Sequence, residues 1–163
     1  MGLDLQVEKA VEDAIKDFLE DALQDTEPDL VVSVGTGAAD LITPRIEVEA
    51  SGMVAVRPLD RLTDGSLEYK KYDLGLMLTV ITDLAQGATR TKHHSLVGDL
   101  RTKMLQEVAN WTSTNLPNHE IREVVQTGSS RETQGELQAT ATDYALRVVC
   151  KETSGSQSGS GLA

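Results

Sequence analysis

A chain of 163 residues, 39% hydrophobic, is long enough to bury one core and too short to make two comfortable domains. Its 26 Asp and Glu against 15 Lys and Arg give a formal net charge of -11 at pH 7, which opposes general binding to nucleic acid, because that affinity rests on neutralising phosphate. A lone cysteine, Cys150, excludes an intramolecular disulfide and a thiolate metal cluster, and no run approaches the ~18 apolar residues of a membrane span.

The first residues, Met1-Gly-Leu-Asp-Leu-Gln, lack the basic and apolar stretches of a secretory signal, and Gln6 stands where a myristoylation site needs Ser or Thr. From Asp4 to Gln24 the spacing of Val7, Val11, Ala14, Ile15, Phe18, Ala22 and Leu23 predicts an amphipathic helix, with Asp4 as its N-cap. Its other face is acidic (Glu8, Glu12, Asp13, Asp17, Glu20, Asp21), which reads as a solvated surface with Glu12 and Lys16 as an i,i+4 pair. Asp25 to Asp29, with Pro28, stops it.

Leu30 to Gly35 reads as a short buried strand. The Val34-Gly-Thr-Gly37 that follows fails as a phosphate cradle, having no third glycine, no Gly-Lys-Ser/Thr and no helical pattern after it. Arg45 to Ala50 alternates, with Ile46 and Val48 predicted inward and Glu47 and Glu49 outward; Met53 to Arg57 extends the meander after a turn at Ser51-Gly52. Pro58 to Glu68 is then a long connection carrying Leu59, Leu62 and Leu67 at its surface, and long loops with apolar side chains are often functional or become ordered only against a partner.

Tyr72 to Asp83 is the best core strand: Leu74, Leu76, Leu78 and Val80 share one face, while Met77 and Ile81 make the other apolar, which predicts a place inside the sheet. After Gln86 to Thr91, residues Leu96, Val97, Leu100, Met104, Leu105, Val108 and Trp111 predict one sheet-backing helix, ended by Asn115 to Asn118. Gly98 inside that helix calls for a close approach of helix to sheet. His119 to Gln126 reads as a strand, Thr127 to Gly135 as a polar turn, and Glu136 to Lys151 as a closing strand pairing antiparallel with it, Thr140, Thr142, Tyr144, Leu146, Val148 and Cys150 lying in one phase. The domain is therefore 1-153, α+β, a mostly antiparallel sheet with two amphipathic helices packed on one face, and 154-163 is a Ser/Gly-rich tail expected to be disordered.

Catalytic and cofactor motifs are absent. His93, His94 and His119 have no spacing that puts two on one face as metal ligands, and His93-His94 reads as polar residues in the first turn of a helix, although a site pairing His94 with a distant Asp is conceivable. Cys150 reads as a small packed hydrophobe, Ser129-Ser130 as turn residues, and no Gly-x-Ser-x-Gly elbow occurs. The expectation is a protein with no catalytic residues, no cofactor and no metal. A small-molecule-binding α+β domain or enzyme stays open as the reading from another class, marked by a deep cavity holding His94 or Cys150.

Element order, together with Tyr72-Asp-Leu-Gly-Leu-Met-Leu-Thr-Val, His94-Ser-Leu-Val-Gly-Asp-Leu-Arg-Thr-Lys-Met-Leu, and Val124-Val-Gln-Thr-Gly-Ser-Ser-Arg-Glu followed by Ala141-Thr-Asp-Tyr-Ala-Leu-Arg-Val, resembles the tail terminator and related neck (head-tail joining) proteins of long-tailed bacteriophages over roughly residues 4 to 152. The resemblance implies a non-enzymatic virion protein, assembled in the host cytoplasm, that forms a homo-oligomeric ring, commonly a hexamer. That ring caps the head-proximal end of the tail tube and meets the tail tube protein on one side and a head-side connector or stopper on the other. DNA passes its lumen without sequence-specific binding, and no membrane is involved; an acidic lumen would repel phosphate. Another neck or tail-completion role would use the same domain. Candidate subunit or partner contacts are Arg57, Leu59, Arg61, Leu62, Leu67 and Arg131.

Overall fold

The computed structural model describes residues 2–35, 42–61, 67–116 and 119–153, with side chains at 7–35, 42–52, 71–116 and 119–149. In chain order these form α1 (Gly2–Leu23), β1 (Val31–Val34), β2 (Arg45–Arg61), β3 (Leu67–Asp83), a 3-10 turn (Leu84–Gln86), α2 (Arg90–Gln106), α3 (Val108–Asn115), β4 (His119–Gln134) and β5 (Leu137–Thr153). The five strands lie in the order β1-β2-β3-β5-β4, antiparallel except for the parallel β1–β2 pair. This is the α+β class that the hydrophobic pattern predicts.

β3 occupies the centre, and Tyr72, Leu74, Leu76, Leu78 and Val80 are all 1% exposed or less. Their phase continues across the sheet through Ile46 and Val48 on one side and Tyr144, Leu146 and Val148 on the other. The helices close this face: Val7, Val11, Ile15, Phe18, Leu19 and Leu23 from α1 and Leu96, Val97, Leu100 and Met104 from α2 join the same cluster. Removing that much apolar surface from water is the dominant stabilising term, at about 25 cal/mol per Å².

Several local expectations need correction. Helix α1 begins at Gly2, so Asp4 lies inside its first turn and is not an N-cap. Lys16 pairs with Glu20 at 3.0 Å instead of with Glu12, and Lys9 pairs with Asp13 at 3.3 Å. Glu12 turns to the sheet, where its Oε2 accepts the Ala50 N–H at 2.8 Å. That amide needs a partner because β1 ends at Val34, opposite Val48. β1 itself is an edge strand with only Val32 buried; Val34 is 38% exposed.

Ser51-Gly52 is not a turn. β2 runs on through it with shifts of register at Ala50/Gly52, Met53/Ala55 and Arg57/Asp60, and pairs with β3 as far as Arg61↔Glu68. The expected loop from Pro58 to Glu68 is thus mostly hairpin, and residues 62–66 lie outside the described residues. The last irregularity falls where Pro58 has no N–H to give the ladder. Gly52 (φ 129) pairs with Gly75, where a Cβ would come within 2.1 Å of Ser51 Oγ. Glu47 does not face water either: it is 7% exposed, beside the 6% exposed Arg45 that meets it at 3.3 Å.

The predicted second helix is two, broken at Glu107 (φ -120, ψ -25), so three α-helices back the sheet. Leu105, about 100° round the helix from buried Met104, is 50% exposed and leaves the stripe. Trp111 rests edge-on against Phe18, with ring centroids 5.6 Å apart, and its indole N–H donates to Asp21. Gly98 has nothing within 4 Å of a would-be Cβ, so the helix does not approach the sheet there. Thr127 to Gln134 is strand instead of turn. The reversal is the two-residue Gly135-Glu136, with Gly135 at φ 62, the type II′ geometry that suits twisted hairpins. Polar residues occupy this strand because β4 is an edge strand exposed along most of its length. The tail from 154 onward and the 36–40 loop lie outside the described residues.

Candidate assembly surfaces

His93 organises one end of the sheet. It is fully buried, contrary to the reading of a polar first-turn residue, and its Nδ1 and Nε2 each lie 2.8 Å from a threonine hydroxyl, Thr82 on β3 and Thr140 on β5. Gln138 Nε2 donates to Thr82 at 3.5 Å and extends the chain. A neutral imidazole has one donor and one acceptor, so it satisfies one hydroxyl in each sense. Burial, reinforced by the nearby His94 and Arg131, holds its pKa below the usual histidine value. This is a structural staple of α2 to the sheet.

Beside it, α2 and the distal half of the β4–β5 hairpin enclose an open groove of about 450 Å³, lined by His94, Val97, Gly98, Arg101, Ser129, Ser130, Arg131 and Thr140. Arg101 donates from Nε and Nη2 to Thr142 Oγ1 at 3.2 and 3.1 Å, and Arg131 Nη1 stands 3.3 Å from His94 Nε2. Among the described residues neither arginine has a carboxylate partner, whereas Arg45, Arg122 and Arg147 each do. The buried Tyr144 hydroxyl has no hydrogen-bond partner among the described residues, and burial pushes its pKa up to about 12, with the Arg101 charge acting in the opposite direction. His94 is therefore next to a cation, not the Asp that a catalytic pairing requires. No group of three His, Cys, Asp or Glu among the described residues could hold a metal.

Two sheet edges form the other surface. Among the described residues no strand pairs with the outer side of β4, 16 residues long, or with β2 beyond Val48, although at the start of β4 the Ile121 N–H donates to Thr112 Oγ1 of α3 at 3.0 Å. Unpaired backbone donors and acceptors in such rows are templates for another chain. Val125, 46% exposed, sits on the β4 edge.

The six contacts proposed from sequence divide between these surfaces. Arg57, Leu59 and Arg61 fall on the distal part of β2 and Leu67 begins β3, so four of them share one end of the hairpin; Leu62 lies outside the described residues. Arg131 is in the row of Val80, while Arg57 is in the row of Lys71, nine residues along β3, or about 30 Å at ~3.3 Å per residue. The structure does not bring Arg131 to the four others that are described. Sequence reading missed Arg101, although its i±3 and i±4 neighbours (Val97, Gly98, Met104, Leu105) include no acid, which leaves its charge to be met elsewhere.

No protein-family model matches the sequence, and no curated protein matches it. Among solved structures, a chain from the virion of a native gene transfer agent particle is similar over 73% of this chain and 78% of its own, with 10% identity and a TM-score of 0.43. At that level of likeness, the role has to be argued from this chain's own surfaces.

Proposed function

We propose that this protein is a structural virion component of the tail terminator or neck type, acting as the subunit of a homo-oligomeric ring, with the hexamer as the preferred number. The observation that carries the reading is the pair of unlike open edges on opposite sides of the sheet, the part of β4 beyond Ile121 and the part of β2 beyond Val48. β2 and β4 run in opposite directions, so a neighbour in the same orientation lays its β4 antiparallel to β2. Such a head-to-tail contact uses two different patches and propagates until it closes, which is how rings form.

In this reading the domain spans 1–153, and the far end of the β2–β3 hairpin, with Arg57, Leu59, Arg61, Leu62 and Leu67, reaches the tail tube protein or the head-side connector. The net charge of -11 supports a lumen that repels DNA phosphate and lets the genome pass. The function is steric, ending tube growth and joining tail to head, and calls for no reacting group. Native mass measurement with electron microscopy of the purified protein tests it: a ring that also limits tube length when mixed with polymerising tube protein is the expected result. A stable monomer at micromolar concentration, or a ring without effect on tubes, overturns the ring or the terminator assignment respectively.

A further inference from the structure

We propose that the groove between α2 and the β4–β5 hairpin is a carboxylate socket that receives the flank of α1 bearing Glu8 and Glu12 from a second copy of the chain; this rests on the ring reading above.

Three observations converge. In a chain with 26 acidic residues, Arg101 and Arg131 line one groove, and among the described residues neither meets a carboxylate. Guanidinium groups bind carboxylates in a fixed fork geometry, so an unmatched pair of them is a receptor for acids. Gly98 borders the same groove in the interior of α2, where glycine weakens a helix and where, apart from the helix's own backbone, none of the described residues comes within 4 Å of a Cβ. A neighbour approaching the helix backbone supplies the reason that the isolated fold does not.

The third observation selects the occupant. Glu12 Oε2 holds the Ala50 N–H, which places this flank of α1 at the open edge of β2 and leaves Oε1 to take another donor. Glu8 lies one turn earlier on the same flank. The socket, for its part, adjoins the open edge of β4. Arg131 stands in the row of Ile46, and Thr142, held by Arg101, stands in the row of Val48. Ala50 is two residues beyond Val48 and four beyond Ile46, an offset of about 7 to 13 Å along the strand, within the reach of arginine side chains and the stagger usual between strands that close a ring. When β4 of one copy meets β2 of the next, the arginines come to the glutamates. A single carboxylate is also favoured over a phosphate polymer, which the overall negative charge repels.

The test is self-association measured by light scattering over a dilution series, at low and high salt. The paired change Arg101→Glu with Arg131→Glu is expected to raise the apparent dissociation constant at least tenfold. Mixing it with the variant carrying Glu8→Lys and Glu12→Lys is expected to restore mixed oligomers. Gly98→Ala is expected to raise the unfolding temperature yet weaken association, a divergence that a purely structural glycine does not give. Circular dichroism and the unfolding temperature establish that each variant folds. If the double-arginine variant is folded and associates like the parent, the socket is overturned while the ring stands. If association is lost but the charge-swapped mixture does not recover it, or if the socket instead binds a short DNA duplex through both arginines with association untouched, α1 is not the occupant. If the parent never associates, it is the ring reading that fails.

Discussion

His93 Nε2 and Thr140 Oγ1 lie 2.8 Å apart beneath α2, and the same imidazole reaches Thr82 on the neighbouring strand. The folded protein therefore disfavours protonation of this ring. Its pKa is lowered on folding by burial first and by the charges of His94 and Arg131 after it, and burial lowers that of His119 as well. Below about pH 6.5 the unfolded chain binds the protons that the folded one refuses, so stability is full above that pH and declines as pH falls through it. Urea midpoints between pH 8 and pH 5 should decline toward acid, and His93→Gln should flatten part of that slope while lowering stability at pH 8. An unchanged slope in the variant would remove His93 as its source.

The facing glycines of the central hairpin predict a coupled pair. Gly75→Ala places a Cβ 2.1 Å from Ser51 Oγ, but 3.4 Å from Ser51 Cβ. The expected cost is about 1 kcal/mol, of the size typical for forcing a methyl into a packed site. In a Ser51→Ala background most of that cost should vanish, because only the hydroxyl is in the way. A double-mutant cycle by chemical denaturation measures the coupling.

Phe18 is 1% exposed and supports Trp111 edge-on where α1 meets α3. Phe18→Ala should cost about 3 to 5 kcal/mol, the range for deleting a buried aromatic ring. Trp111→Phe, which keeps an aromatic ring beside Phe18 but loses the hydrogen bond to Asp21 and part of the indole's area, should cost less than Phe18→Ala. Thermal unfolding of the two variants ranks them.

A charge at the β4 edge should act on assembly and spare the fold. Val125→Lys replaces an exposed side chain, so the unfolding temperature should stay near that of the parent. Lysine on an open edge opposes strand addition, and the oligomer mass at a fixed concentration should fall. A folded variant of unchanged mass would free β4 from the contact.

Period-2 and helical patterns made the central sheet and the helix stripes legible, because Leu74, Leu76, Leu78 and Val80 must all be buried together for any register to work. Edges were harder. Thr127, Ser129 and Ser130 carry turn chemistry, yet in an exposed strand polar residues meet no penalty, so composition could not separate the two. Pro58 likewise marked an interruption that proved to be an irregularity within a strand. Arg101 and Arg131 are 30 positions apart in the chain, and only the fold shows that they share a groove that contains no acid.

The bond from Glu12 to the Ala50 amide also acts as a doorstop. With β1 covering β2 up to Val48 and this carboxylate occupying the next donor on that side, an arriving strand can seat only from Gly52 onward. Ten residues remain, Gly52 to Arg61, a ledge about 33 Å long at ~3.3 Å each. In the proposed ring, a helix thus sets where the neighbouring subunit would begin, and with it the pitch of the assembly.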